Sequence, residues 1–287
     1  MEAAGFYIFY GISWAISLLP LKILYLFSDF LFLLAFYFPG YRRKVVITNL
    51  RNAFPEKSER ELAAISKKFY RHFCDLVVEI LKLIHISNEE LAERMHYENP
   101  GLLDRLFAEG RDVVMVYSHY CNWEWTNILP AFTGHKCVPV YRALNNKHFD
   151  RFMLGIRSRN KATPVAMSAI IREILTNRKN SVKAVYGLIA DQTPPRAEIK
   201  YRTRFLNQDT PVYLGAEKIA LKYDMAVVFM NIRKIRRGYY SYSTEMLFEH
   251  TSGLEEYSVT DSHVRRLEEI IREKPEYWLW THRRWKY

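Results

Sequence analysis

VVMVYSHYCNWEW, residues 113–125, places an apolar run directly before His119 and an acid, Glu124, four intervening residues later. The run from Val113 reads as a strand buried on both faces. On a continuous helix, residues five apart sit about 140° from each other, so the imidazole and the carboxylate would not meet there. A strand, a turn and a helix N-terminus bring them together. In that arrangement Asn122 caps the helix, and Glu124 in the first turn reaches back to one imidazole nitrogen. A carboxylate on one ring nitrogen fixes the tautomer and leaves the other free to take a proton from a hydroxyl. No Gly-x-Ser-x-Gly elbow exists in the chain, so attack by a substrate alcohol on a thioester is the simplest chemistry for this pair.

Working outward, strand-like runs are expected at Val113 to Ser118, Cys137 to Arg142, Lys183 to Ala190, Ala226 to Ile232 and Tyr239 to Leu247. Helical patterns separate them near Glu124 to Ala131, Lys147 to Arg159, Ala169 to Asn177 and Val212 to Tyr223, and a last helix covers Val259 to Glu273. This alternation predicts an α/β fold with a mostly parallel central sheet flanked by helices. On the amino-terminal side, Ser58 with Glu61 makes a capping box opening a helix to about Ile84, with Phe69, Phe73, Leu76, Ile80 and Ile84 on one stripe. Ser87 with Glu90 repeats the box before a short helix near Leu91 to Met95, whereas Val45 to Glu56 reads as a connector.

The amino-terminal stretch from Ala3 to Leu21 carries no charge and has roughly the length needed to cross a hydrocarbon core of about 30 Å. Pro20, Lys22 and Asp29 interrupt the apolar region, leaving two arrangements open: a single span, or a helical hairpin dipping into one leaflet. Arg42, Arg43 and Lys44 suit a cytoplasmic edge. The chain therefore divides into a membrane-associated helical segment, 1–44, and a catalytic domain, 45–287, with a helical lead-in at 57–95. Its 287 residues, 49% hydrophobic and with a formal charge of +11, fit an enzyme drawn to anionic lipid, nucleic acid or an acidic carrier protein. Cys74, Cys121 and Cys137 are odd in number and lack metal-like spacing, which favours a reducing compartment.

Around the central motif the chain resembles the glycerolipid (lysophospholipid) acyltransferases with an H-x4-D/E motif. Within them it is similar to the lipid A biosynthesis (lauroyl/myristoyl) acyltransferases. The likeness rests on NWEW at 122–125, VYRALNN at 140–146, HFDRFMLGIRSRN at 148–160, LIADQTP at 188–194, EYWLWTHRRWK at 276–286 and NLRNAFPE at 49–56. The resemblance implies that His119 is the general base, that Glu124 orients it, and that Arg142 holds the acceptor or stabilises the oxyanion. It places Asp191 and Gln192 in the same cleft. Asn122 and Arg283 complete the expected substrate-binding set. Two departures from the family pattern stand out: Cys121 where a small residue such as Gly is expected, and Asn160 where Gly usually follows R-x-R.

The implied reaction moves a fatty acyl chain from acyl carrier protein, or from coenzyme A, to a hydroxyl of a lipid A precursor or related polar lipid. That places the chain in lipid A and lipopolysaccharide biosynthesis at the bacterial inner membrane, active domain on the cytoplasmic side. No metal or organic cofactor is implied. The tail's Arg283, Arg284 and Lys286 among Trp278, Trp280 and Trp285 suit phosphorylated headgroups at an interface. The alternatives are transfer to a glycerophospholipid or aminolipid, and a non-catalytic peripheral membrane protein that binds anionic lipid. No nucleic-acid motif accompanies the charge.

Overall fold

The computed structural model describes residues 2–38 and 40–287; Met1 and Pro39, both inside the 1–44 segment, lie outside the described residues. The chain opens with α1 (Glu2–Ser17), α2 (Leu21–Tyr37), α3 (Arg43–Ala53) and α4 (Glu59–Lys82). Next come α5 (Asn88–Arg94), β1 (Met95–Tyr97), α6 (Gly101–Ala108), β2 (Val113–Tyr117) and a 3-10 segment, Trp123–Ala131. β3 (Lys136–Tyr141), α7 (Lys147–Arg157), β4 (Val165–Ala166), α8 (Ile170–Lys179) and β5 (Ala184–Ile189) follow. The remainder is β6 (Arg202–Phe205), β7 (Gln208–Pro211), α9 (Gly215–Tyr223), β8 (Ala226–Arg236), β9 (Tyr239–Phe248) and α10 (Ser258–Glu273).

One seven-stranded sheet organises the chain in the order β1-β9-β8-β2-β5-β3-β4. Every pairing in it is parallel except β8 with β9, which form an antiparallel hairpin. Helices cover both faces, so Val113, Val114, Met115 and Val116 of β2 are all buried and the strand reads as an unbroken apolar run. The expected α/β class is what the structure has. A separate two-stranded hairpin, β6–β7, was not legible in the sequence.

Side-chain caps fix the starts of α4, α5 and α7. Ser58 and Glu61 exchange both arms of the capping box at the start of α4, and the Ser87 hydroxyl accepts from the Glu90 N–H at the start of α5. Three expectations need correction. The segment 45–56 is not a connector: α3 occupies most of it and buries Val46, Leu50 and Ala53 on one face. The short helix ends at Arg94, and Met95 already begins β1, pairing with β9. The segment after Asn122 is 3-10 rather than α-helical, and carries Pro130 inside it.

The amino-terminal region differs from a single span. α1 stops at Ser17, Pro20 removes a donor before α2 begins, and the buried Lys82 ammonium donates to the carbonyls of Ser17 and Leu19 at 3.1 and 3.0 Å. No helix among the described residues is long and apolar enough to cross a membrane. α2 buries Leu21, Leu24 and Phe32, each contributing about 1.5–3 kcal/mol. Its other face, and that of α1, leaves Ile8, Ile12, Leu26, Phe30 and Leu33 exposed. α4 is covered from two sides, and its buried surface is wider than the single stripe: Asp75 sits inside, accepting from Ser28 on α2 and from Arg237 at the β8–β9 turn. Gly238 in that turn has φ +72, and any Cβ there would collide with the Tyr25 hydroxyl of α2.

Candidate active site

Parallel pairing builds the site. β2 and β5 run side by side in register, with Tyr117 opposite Ile189 at their carboxyl ends. His119 and Asp191 each lie two residues past those partners, so the two chains leaving the sheet deliver them together. Arg142 stands one residue past the end of β3, the strand on the other side of β5.

His119 Nδ1 donates to Asp191 Oδ1 at 2.7 Å, and the His119 backbone N–H donates to Asp191 Oδ2 at 3.0 Å. Trp278 Nε1 donates to the same Oδ2 at 2.8 Å. The carboxylate can only accept, so Nδ1 carries a proton and donates it to Asp191. Burial pushes the Asp191 carboxyl up, but the neighbouring His119 and the donors from His119 and Trp278 outweigh it and hold the group below the ordinary Asp range. On the other side of the ring the Gln192 amide stands 3.2 Å from Nε2, and Trp123 meets the imidazole edge to face at 5.0 Å between centroids.

The carboxylate that orients His119 is thus Asp191 and not Glu124, which corrects the expected geometry. Glu124 is buried and clamped by Arg157: Arg157 Nε donates to Oε2 at 3.1 Å and Nη2 donates to Oε1, a two-pronged pair. A third donor, Trp123 Nε1, reaches Oε1 at 3.3 Å. The turn explains why Glu124 points elsewhere. Cys121 has φ 50, in the left-handed region, and Asn122 then caps the 3-10 segment by accepting from Trp125 N–H at 3.1 Å. Asn122 also donates to Glu79 at 2.8 Å and is 1% exposed, so it supports the turn from behind and does not line the cavity.

Backbone conformation explains why Gly is expected at the two departures from the family pattern. Cys121 and Asn160 both sit at positive φ, 50° and 56°, where Gly is the unstrained residue. Asn tolerates that region better than most side chains.

A cavity of about 590 Å³ opens beside His119. Its floor is sheet: Met115, Val185, Gly187, Cys137 and Met230 are apolar or small, while Arg142, Gln192 and Lys286 stand at the polar end. Arg142 is exposed, and Tyr213 beside it has its phenol pushed up by burial. A polar group and a long apolar chain fit this combination. Arg283 is exposed and outside the lining, which the tail supplies through His282 and Lys286 instead.

The tail also departs from an interfacial role. Trp278, Trp280 and Arg284 are 2%, 0% and 2% exposed, and Trp278 forms an isolated antiparallel bridge with Tyr120 in the turn after β2. Cys121 N–H donates to the Tyr277 carbonyl at 3.0 Å and Leu279 N–H to the His119 carbonyl at 3.1 Å. Arg157 and Trp278, which bond the two buried acids, are positions that sequence reasoning did not single out. Both lie inside conspicuous blocks, HFDRFMLGIRSRN and EYWLWTHRRWK, but nothing local tells which Arg or Trp turns inward.

A cavity with an apolar floor, lined by an imidazole whose Nδ1 is held by a buried carboxylate, suits an enzyme that handles a lipophilic group. The family model described as bacterial lipid A biosynthesis acyltransferase matches residues 1–287, and the chain belongs to that family. It is accordingly an acyltransferase that transfers groups other than aminoacyl groups. No curated protein matches the chain.

Proposed function

We propose that the chain transfers a fatty acyl group from a thioester, preferably of acyl carrier protein, to a hydroxyl of a lipid A precursor, with His119 Nε2 as general base. The observation that carries this reading is the direction of the imidazole: Nδ1 is tied to buried Asp191 while Nε2 faces the cavity. A substrate hydroxyl displaces the Gln192 amide from Nε2 and gives up its proton as its oxygen attacks the thioester carbonyl carbon. The tetrahedral intermediate collapses by breaking the C–S bond, and the imidazolium returns the proton to the departing thiolate.

Asp191 is the positioning acid for the base. Glu124 acts through Arg157, fixing a guanidinium at the cavity wall where it stabilises the oxygen anion of the intermediate. Arg142, with Gln192 next to the base, holds the acceptor's polar end, and the acyl chain lies along the apolar floor. Arg283, at the surface next to this face, takes part in headgroup contact. The exposed apolar faces of α1 and α2 support membrane docking of the 1–44 segment as a shallow hairpin, beside the 45–287 catalytic unit. In this reading the site works at the cytoplasmic face of the bacterial inner membrane.

The test compares lipid extracts by mass spectrometry from cells expressing wild type or His119→Ala at matched protein levels. A lipid A species heavier by one acyl chain with wild type alone is expected. Identical profiles, in a host that supplies lipid A precursors and acyl carrier protein, contradict the reading. Gain of an acyl chain on a glycerophospholipid or an aminolipid instead reassigns the acceptor.

A further inference from the structure

Arg284 is 2% exposed, and its Nε and Nη1 have no hydrogen-bond partner among the described residues. An unpaired ion in the interior has lost its hydration without replacement, so something nearby must compensate it. The Thr193 hydroxyl bonds the Arg284 carbonyl, anchoring the residue next to the loop that carries Asp191. The side chain faces an enclosed void of about 10 Å³ that also meets Asp191, Tyr117 and His263. Such a space holds no more than about one water. Neither Tyr117 nor His263 brings a charge to it: burial pushes the Tyr117 phenol up and the His263 imidazole down.

Asp191 presents the complementary need. It is 6% exposed and accepts from three N–H groups, two of them belonging to His119. Hydrogen bonds alone leave its negative charge unbalanced in a dry site. Two cations can balance it, Arg284 or a protonated His119, and only the first leaves Nε2 with a lone pair. We propose that Arg284 is the counter-charge that keeps Asp191 anionic while His119 stays neutral, which makes it a positioning residue for the general base. The proposal rests on the reading of His119 as the base. The other charged or titratable groups facing this pair are Tyr213, Arg202 on β6, and His282 and Lys286 of the tail. His282 is neutral because burial pushes it down to about 4, so it does not replace Arg284.

The experiment follows the ring nitrogens of His119 by NMR across pH in the full chain, labelled with 15N-histidine and held in dodecyl maltoside micelles. His119→Ala assigns the signal. Arg284→Gln is expected to move protonation of His119 upward by about one pH unit relative to wild type. Arg284→Lys, which keeps the charge, is expected to stay close to wild type. Coincident titrations of wild type and a folded Arg284→Gln overturn the proposal. If Arg284→Gln does not fold, the double variant Asp191→Asn/Arg284→Gln decides. Removing both charges restores folding if they compensate each other, whereas a double variant that also fails shows that Arg284 serves packing alone. Failure of the base assignment looks different: His119→Ala would still transfer acyl groups while the titration shift in Arg284→Gln remained.

Discussion

Asp191 and Glu124 are carboxylates of nearly equal burial, 6% and 7% exposed, near the same cavity but held by different partners. Asp191 takes both a ring and a backbone N–H from His119 and a third bond from Trp278, so its carboxylate is held in one orientation. Glu124 is committed to Arg157 through two parallel bonds. A buried acid is therefore not informative until its donors are known: one of these is bonded to an imidazole, and the other to a guanidinium.

His119→Ala is expected to lower kcat by at least about 10³-fold, the loss typical of removing a base from an activated hydroxyl. Arg157→Ala and Glu124→Gln come next, each expected to lower kcat by roughly 10²-fold, the loss of one oxyanion donor. Because Glu124 acts through Arg157 in this account, their double variant should be little worse than either single one. Additive losses measured in that double-mutant cycle would separate their roles.

A smaller effect concerns stability and acid. Asp191 has a folded-state pKa held below its unfolded value, so it stabilises the fold above the ordinary Asp range, and that contribution is lost as pH falls through the folded value. Thermal melts between pH 5 and pH 3 should therefore show the wild type losing more of its midpoint than Asp191→Asn, and parallel losses would contradict the assignment. The smallest expected effect is at Cys121, φ 50, where Cys121→Gly should relieve strain and hold stability within about 1 kcal/mol of wild type in a denaturant titration.

These residues also mark what the sequence makes legible. β2 and β5 are visible because a strand covered on both faces reads as an apolar run, and α4 because its cap and stripe are local. His119 and Glu124 catch the eye because they are near each other in the chain. The partner of His119 is 72 residues away and is brought in only by the parallel register of β2 with β5, which no local pattern encodes. The same holds for Trp278, whose indole reaches Asp191 across the fold, and for the tail as a whole. Its mixture of Trp and Arg looks interfacial by composition, yet Trp280 and Arg284 are inside. α3 was hidden for a different reason: its buried apolar residues, Val46, Leu50 and Ala53, are interleaved with Thr48, Asn49, Arg51 and Asn52, and its stripe is short.

The most direct test of the central claim sets Asp191→Asn against Glu124→Gln in a single-turnover acyl-transfer assay, with His119→Ala as the baseline. The account predicts that Asp191→Asn loses roughly 10³–10⁴ in rate, as expected when the base is held in the wrong tautomer, and that Glu124→Gln stays well above it. Glu124→Gln falling to the His119→Ala baseline while Asp191→Asn keeps nearly wild-type rate would contradict the account and return the orienting role to Glu124.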